Sequence, residues 1–369
     1  MNSKGSSNDS APSSAGRPAR GGARNDQDLP AKLSVANALA TNGYFVRTNV
    51  GLSATTTRGI ADVTDIDVLG IRHDITFTPE TIAVSCKSGE AKSLSPAKEI
   101  FYLRGVLDYV HARTGIVAFT KKRVPPHLRD LARQLDIQVL ARNEVEEWCQ
   151  NIANGLPAPD YFTLARYDGH QTAWQHDRTL ADYLKTDYWF HFDFRNLQNL
   201  IVHFRKLAPK LAGNEPWHAV QFHDTAAHFA LTLFDLCRHI RLLGEGNTVE
   251  ITAAYLFGGP PTFKARRDLY TKVQQLLSST GVLAPDGPML PPLEPPYTAP
   301  LAELAIRCVK RPQAATLIPT ILQDATWRAL GALGTPARED TNYLAAEKLT
   351  QDLLDFLKTA TGAPWSPKI

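Results

Sequence analysis

The segment TDIDVLGIRHDITFTPETIAVSCKSG, residues 64–89, holds the side chains of this chain that are best suited to chemistry. Asp65 and Asp67 stand two residues apart where an apolar run begins, and Lys87 ends a second apolar run. Side chains two apart on a strand share a face, so Asp65 joins Asp67 and Ser85 joins Lys87. If the runs are adjacent antiparallel strands, all four side chains converge. Carboxylates that hold a divalent metal beside a cation are suited to phosphodiester hydrolysis.

The elements around this segment predict an α/β fold. Helix signals mark the start at Asp28, a stop at Asn42-Gly43, and a second start at Ser95-Pro96. The predicted order is a helix (29–43), strands (44–50, 64–72 and 81–87), a helix (95–113), a strand (115–120), a helix through PPHLRDLARQL, a strand (136–140) and a helix from Asn143. A Gly/Thr-rich loop is expected after the first strand. This order predicts a mixed sheet with helices on both sides.

The motif residues then show a family resemblance. An acid followed by VLG, a short interval, and an apolar residue two positions before Cys-Lys-Ser-Gly resembles the PD-(D/E)XK nuclease superfamily, especially its Mrr-type, restriction-endonuclease-like branch. The segment LRGVLDYVHARTGIVAFTKKRVPPHLRDLARQLDIQVLARNEVEEW is similar to the helix–strand–helix–strand part that ends those domains. The resemblance covers about residues 30–152 and implies a nuclease domain over 29–153. It also implies that Asp67 binds Mg²⁺ or Mn²⁺, that Lys87 is the catalytic lysine, and that the Cys86 carbonyl is a further metal ligand.

One position departs from the family pattern. Ser85 stands where the motif has an acid, and a neutral hydroxyl is a poor Mg²⁺ ligand. The preceding helix, residues 30–42, contains no acid that could replace it. Three carboxylates are candidates: Asp65 on the same strand face, Glu90 just past the lysine, and Glu99 one turn into the next helix. The sequence leaves these three open, together with the alternative that none of them serves.

Basic residues near the motif are candidates for DNA contact. Lys121, Lys122 and Arg123 follow a strand end, where a nuclease of this kind approaches the phosphates of DNA. Arg104 lies on the helix after the motif and is a further DNA-binding candidate. For each of these cations the alternative is a solvated surface charge.

The rest of the chain divides by composition. Residues 1–28 are rich in Ser, Gly, Ala and Arg and are predicted to be a disordered tail. Residues 151–160 read as a linker, and 160–369 as a mostly helical domain of unknown function, interrupted by the proline-rich segment 284–300. Its helical stretches are expected near 193–211, 217–243, 262–280, 300–310 and 342–359. The five-residue spacing of His218, His223 and His228 does not place them on one helix face, so core or surface roles are expected.

Composition excludes several classes. The 369 residues are 43% hydrophobic and 21% charged, which is typical of a globular protein, and no apolar run approaches the roughly 20 residues of a membrane helix. The start of the chain lacks the apolar core of a signal peptide. Four well-separated cysteines predict buried thiols in a reducing compartment rather than disulfides or a zinc site. A cytoplasmic location without a membrane partner is therefore expected.

The working hypothesis is a metal-dependent DNA endonuclease, acting in genome defence or DNA processing as the resemblance implies. DNA is the expected partner, with a homodimer and a regulatory partner of the helical domain as further expectations. Two alternatives stand beside it. One is a catalytically inactive nuclease fold that binds DNA or acts as a scaffold. The other is an RNA- or protein-interaction factor in which the helical domain carries the function.

Overall fold

The computed structural model describes residues 26–56, 59–88, 95–110, 112–121, 123–141, 143–152, 161–190, 193–244, 246–280, 290–332 and 340–369. Five strands form one sheet: β1 Phe45–Thr56, β2 Gly59–His73, β3 Pro79–Lys87, β4 Thr114–Phe119 and β5 Ile137–Leu140. The strands lie in chain order, with β1, β2 and β3 antiparallel and β3, β4 and β5 parallel. The predicted mixed α/β sheet is confirmed.

The first hairpin is longer than predicted. The prediction of a Gly/Thr-rich loop directly after residue 50 is wrong. Strand β1 continues to Thr56 and pairs with β2, which begins at Gly59. Threonine and other β-branched residues favour extended backbone, and this segment contains three consecutive threonines. A register shift between Leu52 and Ser53 marks a bulge in the ladder.

Four helices flank the sheet, in the predicted order: α1 Leu29–Thr41, α2 Pro96–Tyr109, α3 Pro126–Gln134 and α4 Glu144–Ile152. A proline opens each of the first three, where its missing N–H has no consequence. Neither Asp28 nor Ser95 caps its helix with a side-chain hydrogen bond. Instead, the Asp28 carboxylate accepts a hydrogen bond from the backbone N–H of Ser88, just after β3. The folded part therefore begins before Leu29, inside the predicted tail, of which residues 1–25 lie outside the described ones.

The remaining elements are helical, as expected. They are α5 Leu164–Trp174, α6 Arg178–Lys185, α7 Phe194–Leu207, α8 Pro216–Leu243, α9 Thr248–Leu256, α10 Pro260–Ser279, α11 Thr298–Lys310, α12 Pro312–Ala315, α13 Ile318–Ala329 and α14 Thr341–Thr361, with short 3₁₀ helices at Asp187–Phe190 and Ala208–Lys210. The long α8 is buried on nearly every side and forms the axis of this bundle.

The sheet and the bundle share their hydrophobic core. One buried cluster joins β-sheet residues and α2 with α7, α8 and α14, and a second joins α1 and the other sheet face with Tyr161, Phe162, Tyr167 and Trp327. The two parts of the chain therefore pack as one body. Within the described residues no helix is long and apolar enough to cross a membrane. All four cysteines are free thiols; Cys86, Cys237 and Cys308 are buried as predicted, and Cys149 is half-buried.

Candidate acid–lysine site

The β2–β3 register brings the predicted motif residues together. Val68 pairs with Val84, and one further step along the antiparallel ladder places Asp67 opposite Ser85. Lys87 lies two residues beyond Ser85 on the same side of the strand, so it meets Asp67 diagonally rather than directly. The long lysine side chain closes this gap, and its Nζ lies 3.2 Å from Asp67 Oδ2.

Asp67 is a buried carboxylate whose two oxygens are already engaged. Its residue is only 6% exposed. Oδ2 accepts hydrogen bonds from the Cys86 backbone N–H at 2.8 Å, from Lys87 Nζ at 3.2 Å, and from Ser85 Oγ at 3.4 Å. Oδ1 faces Lys32 Nζ at 2.8 Å. One carboxylate thus has two ammonium groups, one backbone donor and one hydroxyl around it.

Lys32, from α1, is the residue that sequence reasoning missed. It is 4% exposed, and besides Asp67 its Nζ donates to Asp26 Oδ2 and to Asn49 Oδ1, each at 2.8 Å. Burial opposes its charge, but the attraction and hydrogen bonds of Asp67 and Asp26 outweigh burial and raise the pKa of Lys32 above its ordinary value. A buried ammonium with three acceptors around it is a fixed part of the structure. The sequence does contain an indication that Lys32 is buried, because Lys32 falls on the apolar face of α1 between Leu29 and Ala36.

Lys87 is the more accessible of the two lysines, with a side chain 24% exposed. Burial lowers its pKa, but the stronger combined attraction of Asp67, Glu99 and Asp28 raises that pKa overall. Glu99 is half-buried in the first turn of α2, so its charge reaches Lys87, although the two make no direct ion pair.

Two further groups border the site. Asp65 is exposed at the solvent end of the same strand face, two residues before Asp67. The Tyr102 hydroxyl on α2 hydrogen-bonds to Thr64 Oγ1. Burial, followed by repulsion from Asp65, Asp67 and Glu99, raises the pKa of Tyr102 to about 12. The three carboxylates therefore border one region, although Asp67 alone is buried. Glu90 lies outside the described residues.

The residues around Asp67 do not fit a divalent cation as they are placed. Mg²⁺ requires several oxygen ligands at about 2.1 Å in octahedral geometry. Here an ammonium occupies the Oδ1 side of Asp67 and another lies against Oδ2, so a cation would meet two positive charges before it met the carboxylate. Within the described part of the chain, no three His, Cys, Asp or Glu side chains are grouped to hold a metal. The metal roles of Asp65, Cys86 and Glu99 stay predictions. For Cys86 the bond seen here is N–H donation to Asp67.

The predicted DNA-binding residues fall into two groups. Lys121 and Arg123 are exposed just beyond β4, and neither has an ion-pair partner among the described residues. The N–H of Thr120 donates to the Lys87 carbonyl at 3.1 Å, so this edge adjoins the acid–lysine site. Arg104 is engaged within the fold, since it pairs with Asp108 and donates to the Leu135 carbonyl at 3.3 Å. Lys122 lies outside the described residues.

The helical-domain histidines occupy core positions. His218, His223 and His228 are all buried on α8, in agreement with the expectation of core or surface positions. The Tyr188 hydroxyl donates to the His228 carbonyl at 2.7 Å, so Tyr188 packs at the junction of sheet and bundle.

The chain was compared with models of known protein families, with curated proteins and with solved structures, and none of these comparisons gives a match.

Proposed function

We propose that the α/β part of this protein is a nuclease-like module that binds DNA without cutting it. The observation that carries this proposal is the position of Lys32. It neutralises the side of Asp67 that a metal would need, in a chain whose motif already has Ser85 in place of an acid. Asp67 and Lys87 then have a structural role, because Asp67 on β2 bonds to Lys32 on α1 and to Cys86 and Lys87 at the end of β3.

The location of the free cations supports the DNA-binding half of the proposal. In α/β folds, ligands bind outside the carboxyl ends of parallel strands. Lys121 and Arg123 lie at that edge of β4, next to the carboxyl end of β3 and the partly exposed Lys87. Phosphate contacts from such cations position a duplex without reading its sequence, so we expect affinity that depends strongly on salt and weakly on sequence.

The test combines a binding assay and a cleavage assay on the full chain. Fluorescence anisotropy with a labelled duplex gives the affinity over a series of salt concentrations. For Lys121→Ala/Arg123→Ala we expect weaker binding and a log–log salt slope shallower by about 1.8, the loss of two phosphate contacts. The matched control is Lys310→Ala/Arg311→Ala, an exposed cation pair in the helical bundle, which should leave the slope unchanged. Equal slopes for both double variants would contradict DNA binding at this edge.

The cleavage assay uses plasmid and linear DNA with Mg²⁺ or Mn²⁺. We expect no cleavage above the level of the Asp67→Ala and Lys87→Ala variants. Metal-dependent cleavage by the wild type that both variants lose would overturn the non-cleaving proposal.

That second outcome corresponds to a distinct candidate function, the metal-dependent endonuclease implied by the resemblance. One observation favours it: the charge of Glu99 reaches both Lys87 and Tyr102, so Glu99 lies close enough to the site to be a candidate substitute for the acid missing at Ser85. In this case Glu99→Gln would abolish cleavage as fully as Asp67→Ala. Lys32 would also have to leave Asp67, so Lys32→Met would increase activity.

A further inference from the structure

The outer face of α2 presents three aromatic rings around a glycine. Phe101 is 57% exposed, Tyr102 is 37% exposed and Tyr109 is 49% exposed. Gly105 lies one turn after Phe101 and one turn before Tyr109, so these three positions share a helix face, and Tyr102 borders it. Two of the rings are held in place, because the Tyr109 hydroxyl donates to a carbonyl of β1 at 2.9 Å and the Tyr102 hydroxyl hydrogen-bonds to β2. The face is therefore apolar, exposed and fixed in position.

Gly105 is exposed in the interior of α2, where the fold of one chain does not require a glycine. A Cβ atom added there would meet no atom within 4 Å, and Gly105 is not among the glycines with a positive φ. A glycine inside a helix destabilises it relative to alanine. Its usual advantage in such a place is that the bare backbone lets another group approach closely. Gly105 and the rings on either side of it therefore indicate contact with an element from outside the chain.

The pattern of this face is complementary to itself. If a second α2 crosses the first in the antiparallel direction at Gly105, each Phe101 meets Tyr109 of the partner subunit, because the two rings lie four residues before and four after the glycine. Aromatic pairs of this kind attract each other beyond the area that they bury. Lys98 and Asp108 are both exposed on this face. In the same arrangement they lie about 6 Å apart along the axis, on different copies, which a lysine side chain can span.

We propose that two copies of this chain associate through α2, with the helices antiparallel about a two-fold axis at Gly105. A nucleic acid fits this face less well, because the Asp108 side chain is 63% exposed and would repel phosphates. The three rings expose about 100 Å² each, which gives an apolar centre of roughly 300 Å² per copy. A standard interface buries about 800 Å² per partner, so the dimer is a weak one, with a dissociation constant of about 1–100 µM. The proposal is independent of DNA binding by the α/β part.

The test is sedimentation velocity of the full chain, without DNA, from about 1 µM to about 200 µM. We expect a reversible monomer–dimer equilibrium within this range. Phe101→Ser removes a ring that lies near the centre of the contact, so we expect its dimer to be at least tenfold weaker. The matched control is Leu344→Ser on α14, since Leu344 is 58% exposed and Phe101 57% exposed. This control should form dimers like the wild type.

Two further sets of variants test the glycine and the orientation. Gly105→Ala should raise the midpoint of urea unfolding, measured at about 1 µM, because alanine favours the helix, and yet weaken the dimer. Gly105→Leu should weaken the dimer at least tenfold. Lys98→Glu and Asp108→Lys should each weaken the dimer, and the double variant should restore it, because the antiparallel pair again places opposite charges together. A purely structural role of Gly105 predicts no loss of association in either glycine variant.

Several outcomes would overturn the proposal. One is a wild type that stays monomeric up to about 200 µM. Another is a dimer that Phe101→Ser and Gly105→Leu leave unchanged, which would place the contact elsewhere. A double variant of Lys98 and Asp108 that is no stronger a dimer than the single variants would refute the antiparallel pairing. Unchanged association of Phe101→Ser together with weaker binding of a single-stranded oligonucleotide would assign this face to nucleic acid instead.

Discussion

Replacing Lys32 by methionine tests the central feature of the acid–lysine site. The substitution keeps most of the aliphatic stem and removes the ammonium that lies 2.8 Å from each of Asp67, Asp26 and Asn49. Removing one partner of a buried ion pair leaves an uncompensated charge and costs about 3–5 kcal/mol. Because Lys87 and the Cys86 N–H still stabilise Asp67, we expect the low end, about 3 kcal/mol of unfolding free energy.

The measurement is urea unfolding followed by circular dichroism. The ordinary pKa of lysine is 10.5, and the pKa of Lys32 is raised in the folded state, so its contribution is fully present below pH 10.5 and is lost only as the pH rises further. The difference between Lys32→Met and wild type should therefore be constant from pH 6 to pH 9. Lys98→Met, an exposed lysine on α2, should change stability by less than about 0.5 kcal/mol. A loss of this small size for Lys32→Met would refute the ion pair and, with it, the argument against a metal at Asp67.

Two further predictions concern the helical bundle. Both ring nitrogens of His223 lack a hydrogen-bond partner among the described residues, and burial, followed by repulsion from Arg328, lowers its pKa to about 4 from an ordinary 6.5. Below pH 6.5 the histidine of the unfolded chain takes up a proton, whereas the folded one stays neutral. The free energy of unfolding of the wild type therefore decreases as the pH is lowered. The advantage of His223→Leu in chemical unfolding should grow by about 2 kcal/mol between pH 8 and pH 5, and a pH-independent difference would contradict this. Asp224→Asn should cost about 3 kcal/mol because Arg47 loses its buried partner. The exposed Asp168→Asn is its control, and equal stability of the two variants would count against the pair.

The sequence predicted those features that depend on local signals. Proline at helix starts, short apolar runs and turn residues are properties of a few neighbouring residues, and they located the sheet strands and the flanking helices. The meeting of Asp67 with Lys87 was also predictable, because strand periodicity and the order of elements determine it. Lys32 was not predicted, since its role depends on the packing of α1 beside a strand 35 positions further along the chain. The contact of Asn49 with Lys32 was missed for the same reason. Its positive φ of 55° is a backbone feature that no sequence motif indicates.

Asn49 links helix α5 to the acid–lysine site. Its Oδ1 accepts a hydrogen bond from Lys32, and its Nδ2 donates one to the Tyr167 hydroxyl at 2.8 Å, so a hydrogen-bonded chain runs from α5 through Lys32 to Asp67. The placement of Lys32 beside Asp67 therefore depends on contacts with the helical part of the chain as well as with the sheet.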